Sequence, residues 1–269
     1  MKIKDKPWLS HYDPGVPAEI SIPDISLVAL FKNAVESFGS SVCTIYEGET
    51  LTYQQIDDLS DRVARYLTSM GLKKGDRVGI QLPNTPEFII SYYGILKAGG
   101  VVMALNPGYK PPEIQRLAEE SGVRVLILPD VVYEDIKALQ KQTKIEACVV
   151  IGSEVSALEG PDLAWGTILK EFTKDDSIAV KVGPEDPAVF QYSGGTTGTP
   201  KCAIGLHRNL VANVYQFDQW LFNTETGGET VLVAIPVYHV YGMVLGMNLA
   251  VKMGARMILA PNPGDLDRL

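Results

Sequence analysis

Cysteine is scarce in this chain of 269 residues: Cys43, Cys148 and Cys202 stand far apart, with no Cys-x-x-Cys or Cys/His spacing. That scarcity excludes a disulfide framework and a structural zinc site, and it suits a reducing cytosol. Positive charge is short as well. Against 32 acids there are 24 lysines and arginines, a net charge of −8, so no general basic field is present to hold nucleic acid. Long apolar runs are missing. The N-terminus MKIKDKPWLSHYDPG has early lysines but no apolar segment behind them, which argues against a signal peptide or an anchor. The most apolar region, Val231 to Ala260, is interrupted by His239, Lys252 and Arg256 and falls short of a membrane span. There is no internal repeat and no low-complexity tract.

What is present is an ordinary soluble composition, 46% hydrophobic and 21% charged, long enough for one large or two modest domains. The prolines of residues 7 to 23 predict an extended surface arm. Ser26 then caps a predicted helix with Leu27, Leu30, Phe31, Ala34 and Phe38 at helical spacing. A strand pair follows over 42–46 and 50–53, turning at Gly48. Thr52 and Gln55 form a capping box for a second helix that runs to Gly71. From Arg77 the elements alternate: strands at 77–82, 101–105, 123–128 and 146–151, separated by helices over 85–99, 111–121 and 131–141. Strands separated by helices of this length imply right-handed crossovers and a mostly parallel sheet with helices on both faces. The fold class is α/β. Residues 152 to 187 lose periodicity and collect Gly, Pro and acids, which divides the chain into an arm (1–25), an α/β subdomain (26–180) and a later subdomain (181–269). In the last, 202–206 forms the second arm of a hairpin, a helix starts near Arg208, and a strand covers 231–235.

The stretch around which the rest is arranged is AVFQYSGGTTGTPK, residues 188 to 201. Its apolar start gives way to a run that neither a helix nor a strand interior favours. Gly194, Gly195 and Gly198 allow positive φ and close approach, while Ser193, Thr196, Thr197 and Thr199 add hydroxyls to the backbone N–H groups. Together they make an anion cradle, with Lys201 as a point charge at its rim. P-loop NTPases require Gly before the Lys and Ser or Thr after it; Pro200 and Cys202 occupy those places here. In the octet Ile235 to Gly242, IPVYHVYG, His239 sits between two tyrosines, and its residue type alone favours a satisfied core histidine.

YSGGTTGTPK resembles the phosphate-binding loop of the adenylate-forming superfamily, which comprises acyl-CoA synthetases, luciferases and peptide-synthetase adenylation domains. IPVYHVYG is similar to its Pro-x-x-His-x-x-Gly motif. The LTY opening of the second helix and LKAGGVVMALNPGY (96–109) also match, although helix termination and helix–strand packing at Gly99 and Gly100 are enough to explain the latter. The arm resembles the start of long-chain fatty-acid CoA ligases. The resemblance implies the N-terminal portion of an acyl-CoA synthetase-like large domain and a two-step reaction, in which a carboxylate attacks the α-phosphorus of ATP and CoA then displaces AMP. Ser193 to Thr199 and Lys201 would hold the triphosphate. His239 would lie beside the reacting groups, with Tyr241 lining the pocket. The implied substrates are ATP, a fatty acid and CoA; Mg²⁺ accompanies the ATP and no metal is held by the protein alone. A cytoplasmic protein is implied, open to peripheral membrane contact and to homodimer formation.

The family's Tyr-Gly-x-Thr-Glu segment, its ribose-gripping Asp and its C-terminal lid with the catalytic Lys have no counterpart here. The only Thr-Glu pair sought in their place, Thr224-Glu225, lacks the aromatic-Gly context. The expectation is an N-terminal piece of a ligase, arising by truncation, proteolysis or a broken reading frame, and inactive by itself. Two alternatives stay open: a ligase of an aryl, medium-chain or amino acid, and a non-catalytic module that binds nucleotide or acyl chain.

Overall fold

A computed structural model describes residues 6–152, 158, 160–173, 180–192 and 201–262. The first helix, α1 (Leu27–Phe38), starts where Ser26 Oγ accepts the Ala29 N–H at 3.2 Å. Strands β1 (Val42–Tyr46) and β2 (Glu49–Thr52) form the predicted hairpin. Glu47 and Gly48 both have positive φ, 49° and 87°, which matches the right-handed twist of the flanking strands. Helix α2 (Tyr53–Ser69) carries the full capping box between Thr52 and Gln55. Then come β3 (Arg77–Ile80), α3 (Pro86–Lys97), β4 (Val101–Ala104), α4 (Pro111–Ser121), β5 (Val123–Pro129), α5 (Tyr133–Gln140) and β6 (Ala147–Ile151), in the predicted order.

Two stretches differ from expectation. The arm begins with a 3-10 turn, Pro7–His11, because proline fits the first position of a helical turn, and the Tyr12 ring lies 4.9 Å from that of Trp220. The supposed connection contains β7 (Leu163–Ala164) and α6 (Trp165–Glu171), which bury Trp165 and Ile168. Helix α6 is too short to display an apolar period, so it could not be read from spacing. The chain continues through β8 (Pro187–Tyr192), β9 (Cys202–Leu206), α7 (His207–Trp220), β10 (Thr230–Val233), a π-helical stretch Gly242–Asn248, α8 (Leu249–Met253) and β11 (Arg256–Leu259). The β8–β9 hairpin forms as predicted.

Two sheets result. A seven-stranded sheet has the order β7-β6-β5-β3-β4-β8-β9, and only its β8–β9 pair is antiparallel. Strand pleating sends alternate residues to opposite cores. Val125, Ile127 and Val149 join the core built with α2, α3 and α6, whereas Leu126, Leu128, Cys148 and Val150 join the one built with α4 and α5. Both faces are therefore covered, as a parallel sheet requires. The second sheet has the order β10-β11-β1-β2 and closes the chain on itself, with Thr44 beside Met257 in parallel register. Tyr53, at the start of α2, donates its hydroxyl to the Ala255 carbonyl at 2.7 Å and so fastens the same closure. Each sheet draws strands from both sides of residue 180, so the division at 180 is one of chain order.

Candidate functional site

In the seven-stranded sheet the chain passes from β3 to β4 on one side and then crosses to β5 on the other. This is a topological switch point, and in open α/β sheets the crevice outside the carboxyl ends of the strands at such a point is where ligands bind. Strand β8 runs parallel to β4, with Val102 beside Val189 and Met103 beside Phe190, and so it ends at that same edge. At the hairpin base Tyr192 pairs with Cys202. The candidate cradle, Ser193, Gly194, Gly195, Thr196, Thr197, Gly198 and Thr199, lies between them and outside the described residues. Lys201 is exposed immediately before β9. Burial, with the neighbouring Cys202 thiol and Glu120, pushes the Tyr192 hydroxyl up to about 12, so it stays protonated beside the loop at neutral pH.

The edge also holds residues that sequence reasoning missed. Gln81, the first residue beyond β3, is fully buried and its Oε1 has no partner among the described residues; Thr85 Oγ1 and Gln191 Oε1 are likewise buried, unpartnered atoms of half-buried residues. Buried polar atoms are almost always paired in native proteins, so the Gln81 and Gln191 oxygens at the ends of β3 and β8 are places where water or a ligand can supply the missing bond. Gln81 Nε2 reaches the carbonyls of Pro107 and Tyr109, both at 3.4 Å. The signal was available in principle, as polar residues just past strand ends. Nothing in periodicity singled out these over other loop residues.

His239 reaches this region from the second sheet. Beyond β10 the chain bends at Pro236, whose carbonyl accepts the His239 N–H at 3.1 Å, and the His239 carbonyl accepts from Met243 N–H at 2.9 Å. His239 is exposed, which removes the reading of a satisfied core histidine. Its Nδ1 lies 3.4 Å from the Tyr241 N–H, which would donate to it. An acceptor role for Nδ1 leaves Nε2 as the ring position that can donate. Tyr241 is 50% exposed at the start of the π-helical stretch. The Gly of the octet has a steric reason: a Cβ on Gly242 would lie 2.2 Å from the Pro236 carbonyl oxygen. Burial, and secondarily Tyr109, raises the Tyr238 hydroxyl above its usual range.

Two clefts lie away from His239 itself. One, of about 440 Å³, is lined by Phe217 and Leu221 of α7, Val231 of β10, and Leu245, Leu249 and Met253 of the helix that His239 leads into. A larger one, of about 600 Å³, opens over the second sheet beside Ile45, Leu232 and Ile258. The chemistry is better located by the strand ends than by cavity size. Among the described residues no group of three or more His, Cys, Asp or Glu could hold a metal ion.

The model of the AMP-binding enzyme family matches residues 31–269. A long-chain-fatty-acid–CoA ligase of Bacillus subtilis (strain 168) is 33% identical over 98% of this chain and 51% of its own length. One from Salmonella typhimurium is 30% identical over 98% of this chain and 52% of its own length. The crystal structure of a long-chain-fatty-acid-CoA ligase from Archaeoglobus fulgidus superposes with a TM-score of 0.80 at 27% identity, covering 93% of this chain and 50% of that one. The chain thus spans about half the length of the curated relatives it matches.

Proposed function

The chain belongs to the AMP-binding enzyme family, and from that premise we propose that it serves ATP-dependent activation of a long-chain fatty acid as the acyl-CoA thioester. A carboxylate is a poor acyl donor until one of its oxygens belongs to a good leaving group. In the first step a carboxylate oxygen bonds to the α-phosphorus of ATP while the bond to the β-phosphate oxygen breaks, releasing pyrophosphate. In the second the CoA sulfur, having lost its proton, bonds to the acyl carbon and AMP departs. Holding the triphosphate in line and neutralising its charge supplies most of what the protein must contribute.

Ser193 to Thr199 cradle the β- and γ-phosphates, and Lys201 adds a positive charge. His239 offers its Nε2–H to an oxygen of the carboxylate or the α-phosphate, and Tyr241 lines the pocket. A Mg²⁺ accompanying the ATP would supply further neutralisation of the triphosphate charge beside Lys201. The apolar cleft along the helix after His239 suits an aliphatic tail, each buried methylene contributing about 0.8 kcal/mol. No helix of the described residues is long and apolar enough to cross a membrane. Exposed Trp8, Trp220, Leu221 and Phe222 favour peripheral contact with one. Cytoplasmic location and a homodimer belong to the same proposal.

The observation that carries this reading is that β8 runs beside β4 to the same strand-end edge from which Asn84 holds the segment leading to His239. The test is ATP binding to the 269-residue chain by equilibrium dialysis, with Lys201→Ala expected to weaken it about tenfold, as loss of one charge-assisted contact would. Equal affinity would remove the loop from the reaction. Because the family's Thr-Glu segment is not found among these residues, the chain supplied with ATP, Mg²⁺, palmitate and CoA is expected to yield no acyl-CoA.

A further inference from the structure

Asn84, in the turn between β3 and α3, is 2% exposed and spends its whole amide on one stretch of backbone. Its Nδ2 donates to the carbonyls of Val233 at 2.9 Å and Ile235 at 3.2 Å, and its Oδ1 accepts the Val237 N–H at 2.9 Å. The three bonds straddle the Pro236 bend just before His239. On the far side of His239, Gly242 packs against the Pro236 carbonyl with no room for a Cβ. The helix beyond is held from the same direction: Tyr93 donates its hydroxyl to Asn248 Oδ1 at 2.9 Å, and Asn248 Nδ2 donates to the Tyr92 hydroxyl at 3.1 Å. Both tyrosines belong to α3.

We propose that Asn84 is a positioning residue for His239, locking the backbone on its N-terminal side to the end of β3 so that the imidazole is held at the edge where β8 ends. It acts through backbone and touches no reacting group. An amide is the side chain this role requires, since the bend presents two acceptors and one donor. Aspartate keeps the acceptor and sets a carboxylate against two carbonyls; alanine takes the partner from the Ile235 carbonyl and the Val237 N–H and leaves the Val233 carbonyl with only the Ala260 N–H at 3.2 Å. The importance of this position for catalysis rests on the ligase reading of His239, whereas the clamp itself does not.

The test uses the 269-residue chain with ¹⁵N-labelled histidine. His11, His207 and His239 are its three histidines, so long-range N–H correlation spectra report each ring separately. Asn84→Ala and Asn84→Ser are both expected to shift the His239 ring signals and mix its tautomers, and to speed amide exchange at Val237 about tenfold or more. The His207 signals should stay in place. Unmoved His239 signals in folded variants would overturn the proposal, and so would all three histidines moving together, because the change would then be global. No ATP or fatty acid enters the measurement, so loss of the ligase reading through failed ATP binding is a separate result.

Discussion

In the seven-stranded sheet, β3 to β6 are successive elements joined by single helices and packed on both faces; the four-stranded sheet instead joins β1 and β2 to β10 and β11 from the other end of the chain. The first is a closed scaffold. The second has one row, Leu232, Ile258 and Ile45 in register across β10, β11 and β1, in which Leu232 and Ile258 remain 52% and 40% exposed. The site proposed above would take Lys201 from the scaffold's β8–β9 hairpin and His239 from the segment that follows β10 of the closing sheet. A rigid sheet edge can hold a polyanion, while a segment brought in from another sheet supplies a donor that must be aimed. Asn84, from the β3–α3 turn of the scaffold, and Asn248, beyond His239, tie that segment to the scaffold and to α3.

The comparison can be broken by substitution. The largest effect is expected at Ile127, fully buried in the scaffold: Ile127→Ala should cost about 2–5 kcal/mol in urea unfolding. A smaller loss would mean that the scaffold core is looser than its packing indicates. Next is acid lability at the seam between early and late chain. His207, at the start of α7, accepts the Leu27 N–H on Nδ1 at 3.2 Å and is almost wholly buried. Burial lowers it from 6.5 to about 4, against the pull of Asp186 and with some help from Lys74. The unfolded chain therefore takes up the proton first, and stability present above pH 6.5 is lost as pH falls toward 4, by about 2 kcal/mol between pH 7 and 5. Burial pushes the Asp186 carboxyl up, but Lys74 at 2.7 Å and the Gly183 N–H more than offset this, so its net shift is downward and acid acts there in the same sense. His207→Gln should flatten the pH dependence of the unfolding midpoint; an unchanged slope would exonerate His207.

A third substitution bears on the early chain alone. Ser26→Ala removes the cap of α1 and should cost about 1 kcal/mol, read from the same midpoints. The smallest effect is expected on the open row, where Ile258→Ser should change stability by about 0.5 kcal/mol or less. A loss above 2 kcal/mol would show that this face is covered and would erase the contrast between the sheets.

Where the chain's own pattern is strong, the reading and the structure agree closely. Helix α4 covers the predicted span, the capping box at Thr52 and Gln55 forms, and the β8–β9 hairpin brackets the glycine-rich stretch. Period and capping chemistry are local, so they survive without knowledge of neighbours. Short elements escaped. β7 and α6 have too few residues to display a period, and the π-helical turn after His239 has no signature in residue spacing. Of the proposed site, the loop and His239 were singled out by motif resemblance alone. Gln81 and Asn84 were not, because each is one polar residue among many until the strand ends converge.

The amino-acid sequence by itself determined the α/β alternation and the hairpin that brackets residues 193–200, since helical and strand periods and turn chemistry act over a few residues. Only the tertiary structure decided that β1 and β2 would close against β11, that His239 would stand exposed, and that Asn84 would hold the bend before it. Those outcomes depend on burial and hydrogen bonds between residues far apart in the chain, whose partners exist only after both sheets have formed.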